Sequence, residues 1–491
     1  MPKQVIVIGS GVAGLSAAAY LAKKGFGVTV LEKNSMPGGR AREFTAQGFK
    51  FDMGPSWYWM PDVFEKFYND FGHTTSDFYD LQRLSPSYRV FDKNGHGVDI
   101  PSNMTELESL FEKYEPGSGI RLKKFLKEAA YKYDVGIKDL VYKPSLSIAE
   151  FADARLLYGL LKMDVFTSMK KHVRQFVNHP FLIELLEFPI LFLGALPVDT
   201  PALYSLMNYA DMSLGTWYPM GGMHHIIKAF TKIAEEKGVQ LFLNHEVTQI
   251  ESKNGKVGNI HCANGKVFTA DFIVGAGDYH HIDQKLLQPS DRTYTESYWE
   301  NRKMAPSSLL YYLGINKKLK NLKHHNLFFD TDFTVHAEEI YKTPQWPTAP
   351  LFYASVPSVT DDSVAPAGME NLFLLIPTAP GLNDTEEVKA SYFDMLMDRL
   401  EKHTGQSIRE HVVYKRAYAM SDFISDYHAF KGNAYGLANT LMQTAILKPR
   451  IKSKKLKNLY FAGQLTVPGP GVPPSIISGN VVANLIEKEH M

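Results

Sequence analysis

Three things are scarce in this chain, and each scarcity excludes a class of protein. Cysteine is the first. Cys262 stands alone among 491 residues, so no intrachain disulfide and no cysteine-rich metal or iron–sulfur site can form. It lies in the strand-like stretch Ile260-His261-Cys262-Ala263, with no base nearby to activate a thiol. Net charge is the second. Lys plus Arg (53) and Asp plus Glu (52) almost cancel, which leaves no global field to gather nucleic acid or steer an acidic macromolecule. Long apolar runs are the third. Residues 5–22 carry no charge, but Gly9, Gly11 and Gly14 interrupt them at a spacing that neither a signal core nor a bilayer span requires, so no transmembrane helix is expected. What is abundant, 45% apolar and 12% aromatic residues, suits a folded chain of two domains with an extensive core.

The first forty residues change period twice. Val5-Ile6-Val7-Ile8 is a short β-branched run, as in a parallel strand covered on both faces. Ser16 to Lys24 is built of helix formers and stops at Gly25 and Gly27, and Val28-Thr29-Val30-Leu31 reads as a second strand. Between strand and helix stands Gly9-Ser10-Gly11-Val12-Ala13-Gly14. The first glycine of such a turn permits the tight bend, the second admits a pyrophosphate to the backbone, and the third lets the helix close on the strand. The helix N-terminus, at Val12 and Ala13, then receives phosphate charge. Glu32 ends the second strand, where a carboxylate accepts hydrogen bonds from a ribose hydroxyl, and Lys33 follows it. Together these residues predict a dinucleotide with an unphosphorylated adenosine ribose.

Just beyond comes Pro37-Gly38-Gly39-Arg40-Ala41-Arg42, a glycine pair delivering two arginine forks suited to phosphate oxygens. At this point the sequence resembles the large FAD-binding family of amine oxidases, protoporphyrinogen oxidases and carotenoid desaturases, which shares the order of acid, Gly-Gly and Arg. The resemblance implies FAD rather than NAD. It also implies that a loop matching Gly54, Pro55 and Ser56 runs beneath the flavin, that a valine matching Val247 meets the adenine through its backbone, and that Gly277 and Asp278 end a cofactor-domain strand. Asp52, ahead of that loop, reads as a capping carboxylate rather than a catalytic one. A helix is predicted from His224 to Glu236, with strands at 238–243, 247–250 and 272–278.

Near the C-terminus, Asn458 to Gln464 is a strand ending in Gly463, followed by Pro468-Gly469-Pro470-Gly471-Val472-Pro473-Pro474 and a helical run from Ser475 to Glu487. Here the likeness narrows to the bacterial phytoene desaturase type of carotenoid desaturase. It implies that Gly463, Gly471 and Val472 touch the cofactor. It also implies that Ser478-Gly479 opens a helix whose positive end faces the flavin's pyrimidine and favours hydride acceptance. Pro474 departs from the small residue expected there.

The expected fold is α/β: a Rossmann-type FAD-binding domain, a parallel sheet with flanking helices, made of residues 1–90, 213–289 and 441–491. An α+β substrate domain, 91–212 and 290–440, is inserted in sequence. The apolar segment from Leu182 to Leu196 is either core or a membrane-facing patch, and Arg155, Lys162, Lys170, Lys171, His172 and Arg174 lie just upstream, where cations suit anionic lipid head groups. His224-His225 and His280-His281 diverge too far to share an ion, so no metal is expected.

The flavin carries the hard step, so neither a triad nor a carboxylate dyad is needed, and no general base can be named. The function expected is desaturation of a C40 polyene: hydride passes to flavin N5, a proton leaves the neighbouring carbon, and a trans double bond forms. The alternatives are a later-pathway carotenoid desaturase or saturase, a flavin amine oxidase, and a non-catalytic binder like the prenyl-GTPase escort proteins. The expected partners are a lipophilic polyene and oxygen or a quinone as electron acceptor, with no nucleic acid. The expected place is cytoplasmic, peripheral on the inner face of the membrane.

Overall fold

The computed structural model describes residues 1–151 and 164–490; Arg155 and Lys162 of the cationic run lie outside the described residues. The opening β-branched run, Gln4–Ile8, is the central strand of a five-stranded parallel sheet. Its order is Leu459–Phe461, Phe272–Gly275, Gln4–Ile8, Gly27–Leu31, Gln240–Phe242. Because side chains alternate along a strand, the run supplies both faces. Val5 and Val7 pack with Val28, Val30 and Val274 on one side, while Ile6 and Ile8 pack with Leu31, Ile273 and Phe461 on the other.

The first side is covered by three helices, Val12–Lys23, His224–Glu236 and Val472–His490. Their close approach explains the alanines. Ala17, Ala18 and Ala19 are fully buried, and a Cβ on Gly479 of the C-terminal helix would stand 2.5 Å from the Ala17 nitrogen. Small residues are the only ones that fit between these two backbones. The second side is covered by an antiparallel sheet, Val247–Lys253, Lys256–Cys262 and Val267–Thr269, and Cys262 is buried within it. Burial pushes its thiol pKa up, the opposite of activation.

A second sheet holds seven strands in the order Val412–Tyr418, Ser307–Ile315, Glu370–Thr378, Phe352–Ser355, His325–Phe328, Tyr88–Phe91, Gly97–Ile100. All neighbours are antiparallel except His325–Phe328 with Tyr88–Phe91. Tyr88–Phe91 spans the division expected at residue 90 and joins this sheet. One face, with Leu309, Tyr311, Phe328, Phe352 and Leu374, lies under the helix Glu386–Thr404. The other face, with Leu310, Tyr312, Tyr353, Phe373 and Leu375, joins the core of the parallel-sheet side. Two cross-links hold that junction: Tyr312 Oη donates to the Met53 carbonyl at 2.7 Å, and Asn371 Nδ2 to the Lys50 carbonyl at 2.8 Å.

Helices from Met104–Tyr114 to Leu206–Met212 complete the insertion. Within it, Leu182, Leu185, Leu186, Phe188, Ile190 and Leu196 are buried, which makes the 182–196 segment core where its side chains are described.

Candidate functional site

The site begins at the bend after the first strand. Gly9 adopts φ +100° and its N–H donates to the Leu31 carbonyl at 2.8 Å, drawing the bend onto the second strand. A Cβ on Gly14 would stand 2.0 Å from the Gly9 carbonyl oxygen, so the third glycine is a packing requirement. Gly11 is the reverse case, with no atom within 4 Å of where its Cβ would be. There the backbone opens onto a cavity of about 720 Å³, at the first turn of Val12–Lys23. Gly9, Gly11, Val12 and Ala13 line it, and Gly14 does not.

Glu32 and Lys33 line the same cavity. The Glu32 carboxylate, 5% exposed, accepts from Ser10 N at 2.8 Å and Ser10 Oγ at 2.7 Å through one oxygen, and from Asn34 N and Nδ2 at 2.8 and 3.0 Å through the other. It therefore ties the glycine turn to the end of the second strand as well as presenting a carboxylate edge. The Lys33 ammonium sits on the Ser425 carbonyl, 4.0 Å from Glu246.

The two arginines part company. Arg40 lines the cavity, donates to the Asn433 carbonyl at 3.1 Å and lies over the Tyr427 ring at 5.1 Å, while its buried Nε–H meets no partner. Desolvation lowers its pKa, although Asp278 and nearby tyrosines partly offset that. An unmet donor beside a glycine turn fits a phosphate oxygen. Arg42 does not line the cavity. It is bound to Asp426 at 2.6 Å, which makes it a strap to the helix Met420–Tyr427 and corrects the expectation of two phosphate forks.

Gly54, Pro55 and Ser56 form the next stretch of wall. A Cβ on Gly54 would meet the Arg40 carbonyl at 2.4 Å. Asp52 turns away from the wall and receives the N–H groups of Met223 and His224 at 2.8 and 3.0 Å, a cap on His224–Glu236, with burial raising its pKa to about 6. Val247, Gly277 and Asp278 line the far side. Asp278 accepts from His281 N and Phe430 N at 3.0 and 3.2 Å, and burial raises its pKa to about 6 as well.

Gly463 and Gly471, at φ +112° and +113°, bring the C-terminal loop to the cavity, with Val472 beside them. The helix that follows starts at Val472, earlier than predicted, and carries Pro473 and Pro474 in its first turn, where a missing N–H costs nothing. Ser478-Gly479 therefore does not open the helix. Ser478 Oγ instead clamps the loop, accepting from Gly463 N at 3.0 Å and donating to the Val467 carbonyl at 2.8 Å.

The cavity runs on past the Gly54–Ser56 wall into apolar surroundings. Leu310, Tyr353, Phe373 and Leu375, from one face of the seven-stranded sheet, form one side. Ile137, Leu140, Val141, Leu203, Leu206 and Met207 form the other. Trp57 and Trp59 also line the cavity.

Three residues here escaped the sequence reading. Tyr353 Oη lies 2.6 Å from His325 Nδ1, although 28 positions separate them. Lys448, 3% exposed, has Asn439 Oδ1 at 2.9 Å as its partner, and burial pulls its pKa down to about 7. The adjacent pair His324-His325 was the one available cue.

The pairs His224-His225 and His280-His281 do other work. His224 Nδ1 bonds the Ala41 carbonyl at 2.8 Å, and His281 stacks on His428 at 3.9 Å. Among the described residues, Glu128, Asp164 and His172 come close enough to hold an ion, but the Lys132 ammonium is already there, 3.0 Å from Asp164 and 3.3 Å from His172 Nε2.

Comparison with known proteins places these features in context. The family model described as flavin containing amine oxidoreductase matches residues 12–486. A carotenoid 3,4-desaturase of Haloarcula japonica is 40% identical over 99% of this chain and 98% of its own. A zeta-carotene-forming phytoene desaturase of Myxococcus xanthus is 30% identical over 98% and 93%. An oxidoreductase structure from Methanosarcina mazei superposes with a TM-score of 0.63 at 16% identity, covering 99% of this chain and all of its own. Cyclohexylamine oxidase from Brevibacterium oxydans gives 0.58 at 14%, covering 100% and 99%, and both structures share the fold.

Proposed function

The chain belongs to the flavin-containing amine oxidoreductase family, and from that premise we propose that it is an FAD-dependent desaturase whose substrate is a carotenoid. FAD is its cofactor, and it is an oxidoreductase acting on CH–CH groups. The observation that carries the reading is the single cavity joining a dinucleotide cradle to an apolar channel. Glu32 would hold the ribose, and the Gly9–Ala13 turn with Arg40 the pyrophosphate. Val247 and Lys33 would border the adenosine, and Gly54–Ser56, Gly277, Asp278, Gly463, Gly471 and Val472 the rest of the cofactor. When bound, the flavin supplies the hydride acceptor. The protein's own part is to align one saturated carbon–carbon bond of a long apolar chain against it and to keep water out.

The substrate of this reading is a C40 polyene, and the product a new trans double bond. A later-pathway substrate, already coloured, is favoured over phytoene by the 40% identity to a carotenoid 3,4-desaturase against 30% to a phytoene desaturase. The experiment is anaerobic mixing of the yellow holoenzyme with phytoene, with a coloured acyclic carotene, and with putrescine. Bleaching by a carotene and not by the amine is the expected result. Bleaching by the amine alone overturns it.

Exposed Ile148, Phe166, Val198, Leu441, Met442 and Leu447 lie close in sequence to cavity residues Phe151, Val165, Leu203, Thr444 and Ala445, with exposed Lys170 and Lys171 nearby. Such a mouth suits docking on the inner face of an anionic membrane, where a polyene dissolves and a quinone, or oxygen, can reoxidise the cofactor. No described helix is long and apolar enough to cross a membrane. Cosedimentation with anionic vesicles that weakens on Phe166→Glu is the expected behaviour.

A further inference from the structure

We propose that Tyr353 is the catalytic group that takes the proton released in desaturation, with His325 as the positioning residue that receives the tyrosine's own proton. This rests on the desaturase reading above.

The two residues sit on adjacent antiparallel strands. Tyr353 pairs with Leu327 and His325 with Ser355, so the pair are diagonal neighbours on the face turned to the cavity. Tyr353 lines that cavity among Leu310, Phe373 and Leu375, an apolar wall in which a phenol needs a partner. His325 provides it at 2.6 Å through Nδ1. The imidazole is held in place by Trp57, stacked on it at 4.2 Å and 13°, and Trp57 also lines the cavity. His325 is fully buried, and its Nε2 meets no partner. With Nδ1 accepting from the phenol, Nε2 carries the ring proton. Burial, reinforced by neighbouring His324, holds His325 well below the ordinary imidazole range, so it is neutral in the resting protein and only a strong acid can protonate it.

The chemistry balances. FAD, which the Gly9–Ala13 turn, Glu32 and Arg40 would hold, would supply the acceptor for the hydrogen and electron pair of one substrate C–H bond. The carbon chain is left positive, a charge that conjugation spreads along the polyene. The neighbouring C–H is then acidic enough for a weakly basic pair. Its proton passes to Tyr353 Oη, the tyrosine's proton passes to His325 Nδ1, and the electron pair of that C–H bond becomes the new π bond.

The test uses the FAD-loaded full chain. Because the cation can take the hydride back until its proton leaves, net bleaching waits on the proton step: Tyr353→Phe is expected to keep its flavin content and melting temperature while anaerobic bleaching by the carotene slows about 100-fold, the usual scale for a positioned acid–base group. The wild-type rate should show a solvent deuterium isotope effect that Tyr353→Phe lacks. Independently of turnover, the ¹⁵N resonance of His325 Nδ1 should report an accepted hydrogen bond in the wild type that is lost in Tyr353→Phe. His325→Gln, which retains an acceptor, should be faster than His325→Leu. Wild-type bleaching rates in Tyr353→Phe, or equal rates in the two His325 variants, overturn the proposal and leave the desaturase reading intact. A wild-type holoenzyme that no carotene bleaches overturns both.

Discussion

One cavity, two kinds of wall: the cradle is a backbone turn, Gly9–Ala13, flanked by two charged side chains, Glu32 and Arg40, and the channel around Leu310, Tyr353 and Phe373 is made of apolar and aromatic side chains. In the cradle, glycine turns and one buried carboxylate place N–H groups within a few residues of each other, so the geometry is set locally. In the channel, strands distant in sequence contribute every other side chain of a sheet face. At Gly54, and behind the wall at Gly14, the first kind cannot take an added atom without moving backbone, whereas at Gly11 the added atom would meet only the cavity. The second can exchange one apolar group for another and alter what fits.

The sharpest test of that contrast lies inside the cradle. Gly14→Val drives a Cβ into the Gly9 carbonyl, which is backbone and cannot step aside. Loss of soluble, flavin-bearing protein is the expected outcome, with a cost above ~3 kcal/mol if any folded material survives to be melted. Gly11→Ala meets no protein atom and should leave the melting temperature of the flavin-free chain unchanged while lowering flavin content. Equal melting losses in the two variants would show that the cradle is not divided into packing and binding glycines.

The channel wall offers a second pair, with smaller effects. Phe352 faces the helix Glu386–Thr404, and Phe373 the cavity. Phe352→Ala should cost the ~3–5 kcal/mol of a buried aromatic truncation, read by urea denaturation. Phe373→Ala should cost about half as much, because part of its ring already borders empty space. It should instead change which carotene chain lengths bleach the flavin. If Phe373→Ala proves the costlier, the channel is a packed core rather than a substrate wall.

Glu32→Ala belongs between these sizes. It removes a ribose acceptor and also frees Ser10 and Asn34, so flavin content should fall steeply and the melting temperature modestly, where a pure binding residue would move only the first. Glu32→Gln keeps one acceptor oxygen and should recover part of the stability.

The same contrast explains what was legible in the sequence. Gly9, Gly11, Gly14 and Glu32 announce themselves because turn, helix start and strand end are local events with local residue demands. His224–Glu236 was predictable to the residue, since its apolar positions follow helical spacing. The start at Val472 was missed because two prolines read as loop, although a helix tolerates them in its first turn. Arg42 looked like Arg40's twin because nothing local reveals Asp426, which reaches it from the far end of the chain. Tyr353 and His325 were invisible for the same reason: each sits in an ordinary buried strand, and only the register between strands brings them together.

A pH dependence of opposite sign is expected in the two regions. Asp211, in the scaffold, is 1% exposed and held by two neutral donors, Tyr88 Oη at 2.8 Å and Thr216 Oγ1 at 3.4 Å. Burial raises its pKa from 3.8 to about 7, so between those values the folded chain binds more protons than the unfolded one. Its contribution is complete below pH 3.8 and is lost as the pH climbs through about 7. Lys448, beside the cavity residues Asn439 and Gly469, falls from 10.5 to about 7 through burial, so the unfolded chain binds more protons across that window. Its contribution is complete above pH 10.5 and is lost as the pH falls through about 7. Urea denaturation of the flavin-free chain should therefore show Asp211→Asn flattening a decline below pH 7, and Lys448→Met flattening a rise above it. Each slope approaches about 1.4 kcal/mol per pH unit, the one-proton limit. If Lys448→Met leaves the alkaline limb unchanged, the lysine keeps its proton in the folded chain, and the cofactor loop carries a buried cation rather than a neutral amine.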